Sequence, residues 1–384
     1  MSGGKRHAIA ADAVFDGAAL HRDCAVVIDG ADIEALLPRR EAPRGIPLRA
    51  MPPGSWLTPG FIDVQVNGGG DVLFNDDPTP ESIAAIAAAH RRFGTTGLLP
   101  TLISDAPDKM RRASEAVAAA MPVCPGVLGI HFEGPFLSPE RAGVHDAAMF
   151  RAPDEADLGL LTAPRGGATL VTLAPECVPS GFVAALARQG VRVALGHSMA
   201  TYDETRAALA EGLTGFTHLF NAMRPLAARD PGPIAAALED PRAYYGLIVD
   251  GEHVAPAMLR LALRGAGQAM LVTDAMPPVG GSCATFRLGG TDVLVRDGRC
   301  ATADGVLAGS ALDMASAVRN CIRLLGLSLP EALRLATAAP AAFLGMRDRL
   351  GRLAPGCRAD IVALDPEAVR VVATWVAGES DQPS

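Results

Sequence analysis

The sequence predicts a (β/α)8 TIM barrel with a small β-sandwich domain formed from both chain termini. From about residue 57 to residue 274, eight apolar runs alternate with helical or loop segments. Eight such alternations within roughly 250 residues are typical of that barrel. Short β segments with turns stand on both sides of this region, at the two ends of the chain. A doubly wound open sheet is the alternative fold, but no Gly-x-Gly-x-x-Gly motif follows the first strand.

The apolar runs define the predicted barrel strands. In chain order they are 61–68, 96–101, 127–133, 168–176, 192–197, 215–218, 245–253 and 270–274. We expect the barrel domain to span residues 58–350, and the small β domain to combine residues 1–57 with residues 351–384. Short alternating stretches separated by Gly-rich turns in residues 283–309 predict a β-hairpin inserted after strand eight.

The composition indicates a globular enzyme and argues against some partners. The 384 residues are 49% hydrophobic and carry a net charge of −8. Nucleic acids and anionic membranes favour a basic face, so neither is an expected partner. The seven cysteines contain no Cys-x-x-Cys pair, the N-terminus has no apolar core of signal-peptide length, and no stretch approaches about 18 uninterrupted apolar residues. We therefore expect a cytoplasmic protein with reduced thiols.

Potential metal ligands stand at the ends of three predicted strands. His197 ends strand five, His218 ends strand six and Glu133 ends strand three. The C-terminal ends of parallel barrel strands share one rim, so these side chains can meet although they are distant in sequence. Singly, each is better explained as a cap, a core group or a salt-bridged carboxylate; together they form the His₂Glu set of a catalytic zinc site. His131 could be a further ligand, but we favour a supporting or core role because Glu133 lies nearer the rim.

Asp274 ends strand eight and is the candidate general base. An aspartate with a pKa near 3.9 cannot by itself ionise ordinary water, whereas a metal that lowers the pKa of bound water to about 7 closes most of the gap. A helix N-cap is the alternative role for Asp274, but Pro277 and Pro278 suit a loop better than a helix start.

Several motifs resemble the N-acetylglucosamine-6-phosphate deacetylase family of the amidohydrolase superfamily, in order over nearly the whole chain. They are PGFIDVQVNG (59–68), HFEGPF (131–136), GHSMA (196–200), THLFNAM (217–223), DGEHV (250–254) and VTDA (272–275). The resemblance implies a homodimer that hydrolyses the acetamide of an N-acetylated amino-sugar 6-phosphate to acetate and the free amine. It also implies that Glu133, His197 and His218 bind the metal, and that Asp274 acts first as general base and then as general acid.

The resemblance further implies a set of substrate-binding residues. They are Val144, His145, Asn221, Ala222, Arg229, Asp250, Gly251, Glu252, His253, Leu307, Ala308 and Gly309. Arg229 is implied to reach the phosphate in the neighbouring subunit, although the residue by itself looks like an exposed loop arginine. Arg229 and His253 can donate hydrogen bonds to a phosphate. His145 can hydrogen-bond the sugar or polarise the carbonyl.

One departure from the wider superfamily bears on the metal count. Many members carry His-x-His at the end of strand one, where this chain has Gln65 and Asn67. Neutral amides are poor zinc ligands, so we expect one divalent ion per subunit, Zn²⁺ first, with Fe²⁺, Mn²⁺ or Co²⁺ as alternatives.

Three other functions are weighed against this one. A related amidohydrolase could act on N-acetylgalactosamine 6-phosphate or another amide. The predicted metal ligands argue against a sugar-phosphate isomerase, which needs no metal-bound water as nucleophile. Asp274 argues against a non-catalytic binding protein, which needs no general base.

Overall fold

The computed structural model describes residues 6–163 and 166–380. Residues 1–5 and 381–384, the outer ends of the predicted β domain, lie outside the described residues. The chain divides into two compact units, which we call the strand-rich unit and the barrel unit. Among the described residues, the strand-rich unit comprises 6–63, 90–97 and 314–380, and the barrel unit comprises 64–89, 98–163 and 166–313.

The predicted (β/α)8 barrel is confirmed. Eight strands follow one another in sequence order around one sheet, and a parallel bridge between Val66 and Ala275 brings the last strand towards the first. We number them barrel strands one to eight: Phe61–Val66, Thr95–Ile103, Gly129–Glu133, Ala168–Leu173, Arg192–Leu195, Gly215–Phe216, Tyr244–Leu247 and Gln268–Leu271. Several predicted runs are longer than the strands because buried apolar residues such as Ile248 and Val249 continue beyond the last ladder hydrogen bonds.

Helices alternate with the barrel strands. They are Pro80–Arg91, Pro107–Ala120, Glu155–Thr162, Phe182–Arg188, Tyr202–Glu211, Gly232–Glu239 and Pro256–Ala262. The helix between strands five and six has clear sequence signals at both ends. Thr201 and Glu204 form a capping box at its start, and Gly212 ends it with a left-handed φ of 111°. These two signals fix the length of the segment that joins His197 to His218.

A separate strand-rich unit from both termini is also confirmed. Its strands form one eight-stranded sheet: His7–Phe15, Leu20–Asp29, Asp32–Pro38, Leu48–Ala50, Trp56–Pro59, Ile361–Asp365, Arg370–Val376 and Glu379–Ser380. Trp56–Pro59 pairs antiparallel with Ile361–Asp365, which joins the two ends of the chain. The unit also contains the helices Met314–Asn320, Leu329–Ala336 and Ala338–Phe343, the first continuing into a π-helical turn, Cys321–Leu325.

The insertion after strand eight is larger than the predicted hairpin. It is a four-stranded antiparallel sheet: Thr285–Leu288, Thr291–Arg296, Arg299–Thr302 and Leu307–Ser310. A third turn, which includes Gly305 at a φ of 89°, adds the fourth strand. Among the described residues, no helix is long and apolar enough to cross a membrane.

Candidate active site

The ends of barrel strands five, six and eight carry unusual backbone conformations. His197, His218 and Asp274 have φ values of 48°, 32° and 53°, in the left-handed region that non-glycine residues seldom adopt. Such residues cost about 1–3 kcal/mol each and cluster at functional sites, where the surrounding structure holds them. All three predicted site residues therefore stand at positions where the chain maintains backbone strain.

Three potential ligand atoms converge at the rim. The Nε2 atoms of His197 and His218 lie 3.2 and 3.1 Å from Oε1 of Glu133, and 3.0 Å from each other. All three side chains are buried. Ligands around a tetrahedral zinc ion, at bond lengths near 2.0–2.1 Å, are separated by roughly 3.3 Å. The arrangement therefore fits a divalent metal ion, and these residues form a candidate metal centre.

Hydrogen bonding of His197 supports that assignment. Its Nδ1 lies 2.8 Å from the carbonyl oxygen of Arg141, which can only accept, so Nδ1 donates and Nε2 keeps its lone pair for a metal. Two imidazole nitrogens and a carboxylate oxygen at such close range need a cation or a shared proton between them. Nδ1 of His218 is buried and finds no hydrogen-bond partner within the part of the chain that the structure describes.

Electrostatics also favours an ionised Glu133. Burial alone would raise the pKa of Glu133, but the close contacts with the His197 and His218 imidazoles outweigh it and hold the pKa well below its usual value. Burial likewise opposes charge on His218, yet the hydrogen bond to Glu133 raises the pKa of that imidazole. The cluster thus presents an anionic oxygen beside two imidazoles, which is a donor set for a divalent cation.

Asp274 is held beside this cluster by two amides at the C-terminal end of barrel strand one. Nδ2 of Asn67 and Nε2 of Gln65 donate to Oδ1 of Asp274 over 2.7 and 3.1 Å. The same Gln65 nitrogen lies 3.3 and 3.2 Å from the two carboxylate oxygens of Glu133. Oδ2 of Asp274 accepts no hydrogen bond from any described residue. Burial and the charge of Glu133 raise the pKa of Asp274 to about 6, which suits a group that exchanges a proton near neutrality.

Two further histidines lie close to the cluster but differ in setting. His131 is in the barrel core, with Nδ1 3.2 Å from the hydroxyl of Thr101 and Nε2 2.7 Å from that of Thr172. Both ring nitrogens are therefore occupied, and burial lowers the pKa of His131 to about 4. This is the core position that we expected in preference to a ligand position.

His145 instead faces a cavity. Its ring centroid is 4.4 Å from that of His197, and its Nδ1 lies 3.4 Å from the backbone nitrogen and 2.9 Å from the hydroxyl oxygen of Ser104. A backbone N–H can only donate, so Nδ1 accepts and Nε2 carries the proton of the neutral ring. Burial and the neighbouring His197 lower the pKa of His145 to about 3, so the ring is a neutral hydrogen-bond donor.

A cavity of about 350 Å³ opens over the candidate metal centre. The predicted metal, base and substrate residues that line it are Glu133, His197, His218, Asp274, Val144, His145, Asn221, Ala222, His253, Leu307 and Gly309. Predicted residues outside the lining are Arg229, Asp250, Gly251, Glu252 and Ala308.

Structure explains the positions of three of these outer residues. Oδ2 of Asp250 lies 2.5 Å from Nδ1 of His253 and so orients the imidazole that lines the cavity. Ala308 is buried in the apolar cluster beneath the insertion. Arg229 is exposed in the segment between barrel strands six and seven.

The cavity also contains residues that the sequence did not indicate. Glu140, Arg141 and Gly143 come from the segment after barrel strand three, and Ile103, Ile248, Met276 and Val306 supply apolar walls. Nothing in the Ser-Pro-Glu-Arg-Ala-Gly stretch distinguishes its charged residues from ordinary surface residues. The only available signal is their nearness to His145 in sequence.

Fold and site together define a (β/α)8 hydrolase with a candidate divalent-metal centre. The model of the amidohydrolase family matches residues 56–381, and the chain belongs to that family. This confirms the resemblance found in the motifs and the prediction that the protein is an enzyme.

Individual relatives show which members of the amidohydrolase family this chain resembles. The chain is 44% identical to the N-acetylgalactosamine-6-phosphate deacetylase of Shewanella sp. (strain ANA-3), over 84% of this chain and 82% of that protein. It is 33% identical to the N-acetylglucosamine-6-phosphate deacetylase of Haemophilus influenzae, over 93% of this chain and 94% of that protein. The crystal structure of the N-acetylglucosamine-6-phosphate deacetylase from Pasteurella multocida superimposes with a TM-score of 0.94 at 34% identity, covering 98% of this chain and all of that one (100%).

Proposed function

We propose that this protein hydrolyses the acetamide of N-acetyl-D-glucosamine 6-phosphate to D-glucosamine 6-phosphate and acetate. The observation that carries the proposal is the triangle of Glu133, His197 and His218 beside Asp274, at the floor of a cavity that can hold a sugar. Similarity to amino-sugar-phosphate deacetylases over most of the chain supports the substrate class.

Glu133, His197 and His218 would hold one divalent ion, with Zn²⁺ preferred over Fe²⁺, Mn²⁺ and Co²⁺. When bound, such an ion lowers the pKa of water and polarises a carbonyl oxygen. Gln65 and Asn67 offer amide nitrogens to Asp274, and Gln65 also to Glu133, where a second ion would need anionic or imidazole ligands. A single ion per subunit therefore suits the site.

Asp274 and His145 supply the acid–base and electrophilic steps. Oδ2 of Asp274, which accepts no hydrogen bond from the described residues, takes the proton from the attacking water and later delivers it to the leaving nitrogen. His145, a neutral donor through Nε2, hydrogen-bonds the acetamide carbonyl oxygen and stabilises the negative charge that develops there. Asn67 and Gln65 hold Oδ1 of Asp274, so the carboxylate presents one oxygen to the reaction.

The phosphate would be bound by His253 of the same chain and by Arg229 of a neighbouring subunit in a homodimer. Arg229 is exposed and lies outside the lining of its own chain's cavity, which is compatible with a role in the other subunit. Mixing Arg229→Gln protein with Asp274→Asn protein tests this arrangement. Reassociated mixed dimers should regain activity, because one site then combines an intact Asp274 with an intact Arg229; no recovery would contradict the shared site.

Small metabolites are the only partners that we propose beyond the second subunit, and we place the protein in the cytoplasm. The seven cysteines are all free thiols, as suits a reducing compartment.

N-acetylgalactosamine 6-phosphate is the second candidate substrate. The 44% identity to the Shewanella deacetylase of that sugar specifically favours it. The two sugars differ only in the configuration of one hydroxyl group, so the same metal site and base would serve either.

Acetate release from the purified protein tests the proposal. Both N-acetylated sugar phosphates and unphosphorylated N-acetylglucosamine should be assayed in parallel, and metal content measured on the same sample. We expect the highest kcat/KM with N-acetylglucosamine 6-phosphate, about one metal ion per chain and a severe loss in Asp274→Asn. Preference for the galactosamine compound would transfer the assignment to the second candidate, and no release from any of them would refute both.

A further inference from the structure

We propose that Arg141 is a same-chain cation for the phosphate of the substrate, and hence a specificity-determining residue of this site. The inference rests on the proposed function, because it concerns how the cavity distinguishes a phosphorylated sugar from a neutral one. Neither the motifs nor the residues implied by the family resemblance include Arg141.

The position of Arg141 supports this role. The residue ends the short 3₁₀ turn Pro139–Arg141, which follows barrel strand three, and it lines the cavity over the candidate metal centre. Of the described residues that line the cavity, Arg141 is the only arginine or lysine. Its carbonyl oxygen accepts the Nδ1 proton of His197 over 2.8 Å, which ties the backbone of Arg141 to the site and leaves the side chain available for another task.

The guanidinium has a weak partner. Its Nε lies 3.0 Å from the sulfur of Met199, and a thioether is a poor hydrogen-bond acceptor. In the described parts of the chain Arg141 forms no salt bridge, whereas the nearby Arg224 is paired with Asp230 at 2.7 Å. The half-buried Arg141 therefore retains an uncompensated positive charge and several free N–H donors at the cavity.

The other basic groups considered for the phosphate do not make a cation at the position of Arg141 redundant. Nδ1 of His253 is 2.5 Å from Asp250, so an adjacent carboxylate already balances any positive charge on that imidazole. Arg229 does not line the cavity of its own chain. A phosphate carries close to two negative charges at neutral pH, and a guanidinium can bind two of its oxygens at once.

Glu140, the neighbour of Arg141, acts in the opposite sense. Its exposed carboxylate also lines the cavity and would repel a phosphate. The proposal therefore predicts that neutralising Arg141 and neutralising Glu140 have different effects on binding of the phosphorylated sugar. Arg141→Gln should weaken binding of the phosphorylated sugar, and Glu140→Gln should strengthen it or leave it unchanged.

Steady-state kinetics on the full-length enzyme tests the proposal. Arg141→Gln should raise KM for N-acetylglucosamine 6-phosphate about 10- to 100-fold, the range expected for lost hydrogen bonds to a charged group. The kcat, the metal content and kcat/KM for the unphosphorylated sugar should stay within about twofold. Arg141→Lys should recover part of the affinity because it restores the charge without the planar fork. Arg111→Gln, on the exposed face of a helix, is the matched control and should change none of these values.

Several outcomes would overturn the proposal. An equal rise in KM for phosphorylated and unphosphorylated sugars would place Arg141 against the sugar ring instead. Loss of metal from Arg141→Gln would show that the residue serves only to position His197. If the wild type hydrolyses none of the sugars, the proposed function fails separately. Titration with inorganic phosphate then decides: weaker binding to Arg141→Gln than to wild type supports the cation site, and equal binding overturns it.

Discussion

The strand-rich unit and the rim of the barrel unit use burial in opposite ways. The core of the strand-rich unit is an almost entirely apolar cluster that includes Ile9, Val26, Leu57, Ile361 and Trp375. At the rim, the buried groups are instead carboxylates and imidazoles, with Glu133 2% and Asp274 9% exposed. Burial of apolar surface stabilises the first region, whereas burial of charge at the rim alters pKa values and opposes folding. The buried charged groups of the rim therefore reduce the stability of the fold, but the proposed reaction requires them.

Backbone conformation supports the same contrast. Three strand-end residues of the rim, His197, His218 and Asp274, adopt left-handed φ values. In the strand-rich unit, residues 361–363 instead pair in unbroken antiparallel register with residues 373–375 and 57–59, and a bulge follows between Ala363 and Leu364. A change at the rim should therefore separate activity from stability, and a change in the apolar cluster should do the reverse.

The largest expected effect is on catalysis at the rim. Asp274→Asn should reduce kcat by about 10³-fold or more, since an amide cannot take the proton of the attacking water. The free energy of unfolding should not fall, because burial and the charge of Glu133 disfavour the ionised form of Asp274, whose pKa is raised to about 6. Acetate-release kinetics and urea denaturation on one preparation measure both quantities. A variant that is strongly destabilised while still active would contradict the contrast.

The apolar cluster should show the opposite pattern. Ile361→Ala should lower the free energy of unfolding by about 2–5 kcal/mol, because it removes a fully buried side chain and leaves a cavity. The kcat of the folded variant should remain within about twofold of wild type. Val123→Ala is the control: Val123 is 80% exposed, and its truncation should change stability by less than about 0.5 kcal/mol. A fall in kcat beyond the loss of folded protein would refute the separation.

Between these extremes lie residues that position Asp274 without contacting substrate in the proposed reaction. Gln65→Met keeps the side-chain length but removes the N–H donors to Glu133 and Asp274. We expect kcat to fall about 10- to 100-fold with KM and metal content nearly unchanged, because Asp274 is then less well oriented. Gln65→Glu, which replaces the donors by a third carboxylate, should be worse than Gln65→Met. Equal kcat in wild type and Gln65→Met would exclude the positioning role.

The barrel and the cluster of metal ligands could both be predicted from the sequence, for the same physical reason. Parallel strands bring their C-terminal ends to one rim, so residue types at the ends of apolar runs reveal which side chains can meet. Glu133, His197 and His218 were accessible in this way although they come from three different strands. The family resemblance added His145 and His253, whose loop positions no periodicity indicates.

Other features depend on contacts that a pattern cannot show. Arg141 enters the cavity because a short turn places its carbonyl on His197, 56 positions away. Gln65 was recognised as a poor metal ligand, but its bridge between Glu133 and Asp274 requires the barrel to bring strands one, three and eight together. The third and fourth strands of the insertion were missed because Arg299–Thr302 and Leu307–Ser310 are too short and too mixed to show alternation.

The smallest expected effect concerns Asp240, a buried aspartate of the barrel unit outside the rim. Its carboxylate accepts hydrogen bonds from the backbone and side chain of Arg242, at 2.9, 3.0 and 2.8 Å, and from Arg206 at 3.2 Å. The side-chain hydrogen bonds of Arg242 are the largest influence and lower the pKa of Asp240 to about 2. Asp240 lies beside two guanidinium groups and Asp274 beside the carboxylate of Glu133, so the charge of the neighbours, and not burial alone, decides the direction of the shift.

The pH dependence of stability follows from the lowered pKa of Asp240. In the unfolded chain an aspartate titrates near 3.9, so the stabilising effect is complete above that pH and is lost as the pH falls through about 2. Asp240→Asn should lower the free energy of unfolding by about 1–2 kcal/mol at pH 6, a value reduced by the solvent exposure of Arg242. Denaturation of both proteins from pH 6 to pH 2 should show this difference shrinking below about pH 4. A difference that persists unchanged at pH 2 would mean that Asp240 stabilises the fold through packing rather than through its charge.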